Sequence, residues 1–279
     1  VKGWGFAFSR RWLGYLALVI VFAIACAFLS LWQIARREEA RAEIARVETN
    51  WEREPQPVAD LLPALDGFDT SDKWTPVLLT GRYLPEEQLL ARGRPLDGAA
   101  GFDVIVPFLL DDGTVFIVDR GWVPAGNQQD APDAVPAPPS GPVTVVARLK
   151  AGEPILTGRS APPGQLASIN LPTIAQTLAQ PTYTGAFGLL VSEDPSPATR
   201  PRAVVRPAPD EGPHLSYAFQ WVVFGIMGFI GLGWAVRQEY RIANEDDPAE
   251  RERAAERARR KAAKPRSDAE IEDELLDAR

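Results

Sequence analysis

Two long apolar runs dominate the pattern of the chain. Residues 12–35 (WLGYLALVIVFAIACAFLSLWQIA) carry no charge over 24 positions, and residues 215–236 (LSYAFQWVVFGIMGFIGLGWAV) carry none over 22. At about 1.5 Å per helical residue, each run is long enough to cross the roughly 30 Å of a bilayer's hydrocarbon core. Trp12, Tyr15, Trp32, Tyr217 and Trp234 sit near the ends, where amphipathic rings settle at the membrane–water boundary. Between the runs the pattern shortens. Strands are expected at residues 77–83, 88–92, 104–110, 115–119, 143–149 and 188–192, with Asp112-Gly113 as a hairpin turn because glycine tolerates positive φ. Residues 36–53 read as a charged helix continuing the first span, and Asn170 is placed to cap a short helix over 171–179 with Pro172 in its first turn. The proline-rich stretches 131–142 and 195–213 suit neither helix nor central strand.

The expected fold class is an α+β membrane protein in which two transmembrane helices, 12–35 and 214–236, flank one sheet-dominated extracytoplasmic domain, 36–213. A short leader (1–11) and a charged tail (237–279) complete it as cytoplasmic segments. Charge alone sets the orientation weakly. Within fifteen residues of the spans the tails carry six Lys/Arg and the intervening segment seven. The positive-inside rule, however, loses force for loops beyond about 60 residues, and the leader has three basic residues and no acid. Both termini are therefore placed in the cytoplasm of a bacterial cell, no mitochondrial transit peptide being visible. The competing reading is an exported lipoprotein, from Ser9-Arg10-Arg11-Trp12-Leu13 as a twin-arginine signal and Ala23-Ile24-Ala25-Cys26 as a cleavage box. The apolar run continues nine residues past Cys26, which argues against it.

Composition removes several function classes. One cysteine and one histidine allow no internal disulfide and no Cys/His zinc site, and one methionine allows no methionine-rich copper site. A net charge of −7 without a basic stripe argues against nucleic acid as a partner. No phosphate loop or nucleophile elbow is present, so the chain reads as a protein without catalytic activity of its own. The tail mixes charges densely and reads as a solvated or disordered segment.

His214 is the sharpest feature. At 100° per residue it shares one helical face with Ala218, Trp221, Gly225 and Gly228: a ring nitrogen at the membrane edge, an aromatic plane, and a groove of small residues. A flat apolar macrocycle with an iron suits that face, with His214 as the metal's axial ligand. Leu29, Trp32 and Arg36 form the matching face of the first span, with Arg36 placed to fork a carboxylate. The plainer readings stay open: a solvated boundary histidine, an interfacial arginine, and glycines that simply pack two helices together.

Leu31-Trp32-Gln33-Ile34-Ala35-Arg36 resembles the end of the first span in the Surfeit locus protein 1 family. Residues 77–83, 101–107 and Val118-Asp119-Arg120-Gly121-Trp122-Val123-Pro124 resemble its successive domain motifs. His214-Leu215-Ser216-Tyr217-Ala218-Phe219-Gln220-Trp221 is similar to the start of its second span, and Asp119 departs from an expected asparagine. The resemblance implies an assembly factor for haem–copper cytochrome c oxidase that holds haem a transiently through His214 beside the catalytic subunit. Cofactor contacts then fall to His214, Trp221, Gly225, Gly228, Trp32 and Arg36. The alternative is a cofactor-free subunit that braces the oxidase within a larger respiratory complex. The lipid bilayer is a partner in both.

Overall fold

The computed structural model describes residues 3–127 and 131–263. Residues 1–2 of the expected leader and 264–279 of the expected tail lie outside the described residues. The chain forms two compact units, Glu39–Glu211 and Val1–Glu38 with Gly212–Arg279.

The Glu39–Glu211 unit is built on β-structure. After the end of α1 (Arg10–Asn50) come β1 (Gln56–Pro57), α2 (Val58–Leu61), β2 (Pro76–Tyr83), β3 (Leu89–Arg92), β4 (Gly101–Leu110), β5 (Val115–Pro124) and β6 (Val143–Ala151). β7 (Gln165–Leu166), α3 (Leu171–Ala175) and β8 (Ala186–Asp194) follow. The strands run in the order β1-β2-β6-β8-β5-β4-β3-β7, and a further pairing of β2 with β4 closes five of them into a barrel. Only β5–β8 is a parallel seam within the ring.

Alternation of side chains creates two apolar layers from these strands. Val77, Leu79, Val104, Val106, Phe108, Phe116, Val118 and Val145 are buried in one cluster. The opposite faces supply Ile105, Val115, Ile117, Phe187 and Leu189 to a second cluster, where Val47 of α1, Trp74 and the α3 residues Leu171 and Ile174 pack. The closing seam depends on Gly81, which pairs with Val143 on β6 and Leu110 on β4. A Cβ there would lie 2.0 Å from the Leu109 carbonyl oxygen. Gly81→Ala is therefore expected to cost about 2 kcal/mol, the range of overpacked cores, and to lower Tm by roughly 4–8 °C in near-UV circular dichroism melts.

Every strand expected from the sequence forms. β4 and β5 run further than the pattern indicated, starting at Gly101 and ending at Pro124, because a bulge between Asp103 and Ile105 keeps the two in register through Arg120-Gly121-Trp122. Asn170 caps α3 by accepting from Thr173 N–H at 3.1 Å, but the helix ends at Ala175 rather than 179.

The other unit holds α4 (His214–Ala243) and α1 up to Glu38; α1 and α4 are long and apolar enough, by length and composition, to cross a membrane. Phe28, Leu31, Phe219 and Ile230 are exposed on their outer faces. α4 outlasts the expected span by seven residues, and α5 (Pro248–Ala262) makes the first part of the tail helical.

Candidate functional site

α4 buries one heptad-like stripe: His214, Ala218, Trp221, Gly225, Gly228, Leu232 and Ala235 are all half-buried or buried, at alternating spacings of four and three. α1 answers with Val19, Ala23, Cys26, Ser30 and Gln33, in the same rhythm. A Cβ at Gly225 would stand 3.6 Å from Cys26 Cβ and 3.9 Å from Ala23 Cα. One at Gly228 would stand 3.4 Å from the Phe22 ring and 3.5 Å from Val19 Cγ1. The glycines thus let two helices approach closely, and the groove expected to admit a flat macrocycle is filled by α1.

At the top of this stripe His214 Nδ1 lies 2.8 Å from Gln33 Oε1. An amide oxygen only accepts, so the ring meets Gln33 through an Nδ1–H donor, and Nε2 is the ring nitrogen outside that bond. A ring N–H held by a carbonyl-type oxygen is the arrangement that usually orients a metal-bound histidine. At Gly212 a Cβ would come within 3.3 Å of the ring's Cδ2–Nε2 edge, so the glycine keeps that edge uncrowded.

The expected partner face of the first helix is displaced by one residue. Gln33 and Ser30, not Trp32 and Leu29, face the contact. Trp32 is 55% exposed, and Arg36 is exposed and already engaged within the chain. One residue turns a helix by about 100°, which carries Trp32 and Arg36 to the outer flank of the pair. Trp221 remains half-buried and meets Phe224 edge to face, centroids 5.8 Å apart.

A second constellation lies in the barrel. Arg120, fully buried, donates to Glu193 (Nη2–Oε1 2.8 Å) and to the Pro136 carbonyl at 2.8 Å, and its guanidinium stands 5.4 Å from the Tyr83 ring. Tyr83 donates its hydroxyl to the other Glu193 oxygen at 2.8 Å. Burial, then the Glu193 charge, pushes the Tyr83 hydroxyl well above its ordinary range. Gly121 occurs in mid-strand, with φ +122, and a Cβ there would be 2.4 Å from Arg202 O. Trp122 pairs through its backbone with Arg202 and donates its indole N–H to Arg94 O at 2.7 Å. The motif is structural throughout. Gln33, Glu193 and Tyr83 are the residues the sequence left out of any site. Gln33 had a signal, as a polar side chain inside an apolar run. Glu193 and Tyr83, 110 residues apart, had none.

A family model described as SURF1 family matches residues 20–226. An uncharacterised SURF1-like protein of Mycobacterium tuberculosis is 32% identical over 246 residues, covering 86% of this chain and 89% of its own length. Cytochrome oxidase assembly protein SHY1 of Saccharomyces cerevisiae is 31% identical over 122 residues, which is 43% of this chain and 30% of the yeast protein. A SURF1-like protein of Rickettsia bellii is 26% identical over 112 residues, 39% of this chain and 44% of its own.

Proposed function

Because this chain belongs to the SURF1 family, we propose that it is an assembly factor for a haem–copper cytochrome c oxidase, held in a bacterial cell membrane by α1 and α4 with both termini cytoplasmic. Its cargo is haem a, destined for the oxidase catalytic subunit. The observation that carries this reading is the 2.8 Å bond between His214 Nδ1 and Gln33 Oε1. It supports the reading because a ring held through Nδ1 has Nε2 left for an iron, on a helix boundary where an amphiphilic ring partitions.

Each residue has a bounded part. Gln33 orients the imidazole, and Gly225 and Gly228 bring the helices close enough for that bond. Trp32, on the outer flank, offers an apolar surface, and Arg36 a guanidinium suited to a propionate. His214 is only half-buried, so the cargo can pass to a subunit with better ligands. A single protein ligand favours release.

The test is a visible spectrum of the chain purified in mild detergent from cells making haem a. Wild type is expected to carry a haem a band that His214→Ala loses. Gln33→Leu is expected to bind about 10–100-fold more weakly, the usual cost of losing the bond that orients a metal-binding histidine. A colourless wild type from haem-replete cells overturns custody. The second reading, a cofactor-free brace within a respiratory complex, draws on the filled glycine groove. It predicts that His214→Ala leaves oxidase assembly intact.

A further inference from the structure

Beyond the apolar part of α4, four arginines converge on a pocket of about 510 Å³: Arg237 and Arg241 from the end of α4, Arg253 and Arg257 from α5. Trp4, Tyr240 and Glu250 complete its walls. The two arginines of each helix are four residues apart and share one face, an arrangement in which like charges repel. Among the described residues the only carboxylate in the lining is Glu250, which accepts from Arg257 at 2.8 Å and from Arg253 at 3.4 Å. The Arg257 bond holds that carboxyl below its usual range, so it stays ionised and cancels one positive charge. No carboxylate among the described residues pairs with Arg237 or Arg241. A concave surface with this surplus of positive charge attracts anions.

The remaining wall narrows the class of anion. Trp4 stacks on Tyr240 with centroids 4.2 Å apart and planes within 10°, which adds an aromatic pair to the lining. Guanidinium forks match the paired oxygens of a phosphate, and the volume lies in the range of small-ligand pockets. We propose that this pocket binds a phosphate-bearing anion, its oxygens forked by Arg237, Arg241 and Arg253 and its organic part against Trp4 and Tyr240. Two sources share that chemistry: the headgroup of an anionic phospholipid and a free phosphate. The pocket lies off the His214 stripe and asks nothing of haem or oxidase, so its failure and failure of the assembly reading are separate results.

The experiment is native mass spectrometry of the full chain released from mild detergent, with phosphatidylglycerol, phosphatidylcholine or inorganic phosphate added in turn. Phosphatidylglycerol is expected to be retained at least tenfold more strongly than phosphatidylcholine if a lipid is the source, and inorganic phosphate to bind one per chain if a free anion is. In either case Arg241→Gln with Arg253→Gln is expected to weaken binding at least tenfold. Arg241→Lys with Arg253→Lys keeps the charge but not the fork, and is expected to weaken it severalfold; it also serves if the glutamine variant loses helix by circular dichroism. Equal retention of the two lipids without phosphate binding overturns the proposal. So does unchanged binding in both double variants.

Discussion

Arg120→Met is expected to destabilise the barrel by about 3–5 kcal/mol, the cost of leaving one partner of a buried ion pair uncompensated. Arg120 and Glu193 have fully buried side chains, 2.8 Å apart. Methionine fills much of the arginine's volume, so the loss is electrostatic more than steric. It strands the Glu193 charge and the Pro136 carbonyl, and leaves only the Tyr83 hydroxyl to answer Glu193. For a unit of this size the shift is roughly 6–20 °C in Tm. Arg120→Met combined with Glu193→Gln is expected to recover a large part of it, because a neutral amide still accepts from Tyr83 and no buried charge remains. Thermal melts of the four proteins in the double-mutant cycle measure the coupling. A coupling near zero would mean that the guanidinium is held chiefly by Pro136 O and the Tyr83 ring.

This pair also marks where sequence reasoning stopped in the barrel. Period-two alternation located six strands, since a half-buried strand repeats its apolar residues every second position. It could not extend β5 through Arg120 and Gly121, because a buried arginine and a glycine look like the end of a strand. Their fit needs Glu193 and Tyr83 from β8 and β2 and the backbone of Arg202, none of them near in sequence. Barrel closure was equally hidden, as it rests on Gly81 serving two neighbours at once. β1 and β7, two residues each, carry no periodic signal at all.

In the helix pair the sequence located the α4 face but missed its answer on α1 by one position. Both Leu29-Trp32-Arg36 and Cys26-Ser30-Gln33 follow helical spacing. In an apolar run hydrophobicity does not tell which stripe is buried, since either can face lipid. Residue size decided it: the small Ala23 and Cys26 meet Gly225, Ser30 is buried, and the large rings of Trp32 and Phe28 turn outward. The placement of Gln33 under His214 follows from that rotation.

Asp119→Asn is expected to stabilise the domain by an amount that grows as pH rises from about 4 to 7 and is constant above. Asp119 is buried on β5, beside Asp103 and within the field of Arg94 and Lys150. Burial, with the Asp103 charge behind it, pushes the Asp119 carboxyl up to about 7. Burial pushes the Asp103 carboxyl upward as well. An unfolded chain releases the same proton near pH 4, so between about pH 4 and 7 the folded state binds more protons than the unfolded one. Stability is then highest below that window and falls by about 1.4 kcal/mol per unit as pH rises through it. By pH 8 the charged carboxylate costs on the order of 4 kcal/mol relative to a neutral group, the attraction of Arg94 and Lys150 included. Asparagine is neutral throughout and keeps an oxygen for the Gly121 N–H, which Asp119 Oδ1 now accepts at 2.9 Å. It is also the residue that the family resemblance leads one to expect there. Denaturant unfolding of both proteins from pH 4 to 8.5 should give nearly coincident curves at the acid end, separating by about 1.4 kcal/mol at pH 5 and about 4 kcal/mol above pH 7. Parallel curves would place the titrating proton on Asp103 instead, and the same experiment on Asp103→Asn would then show the divergence.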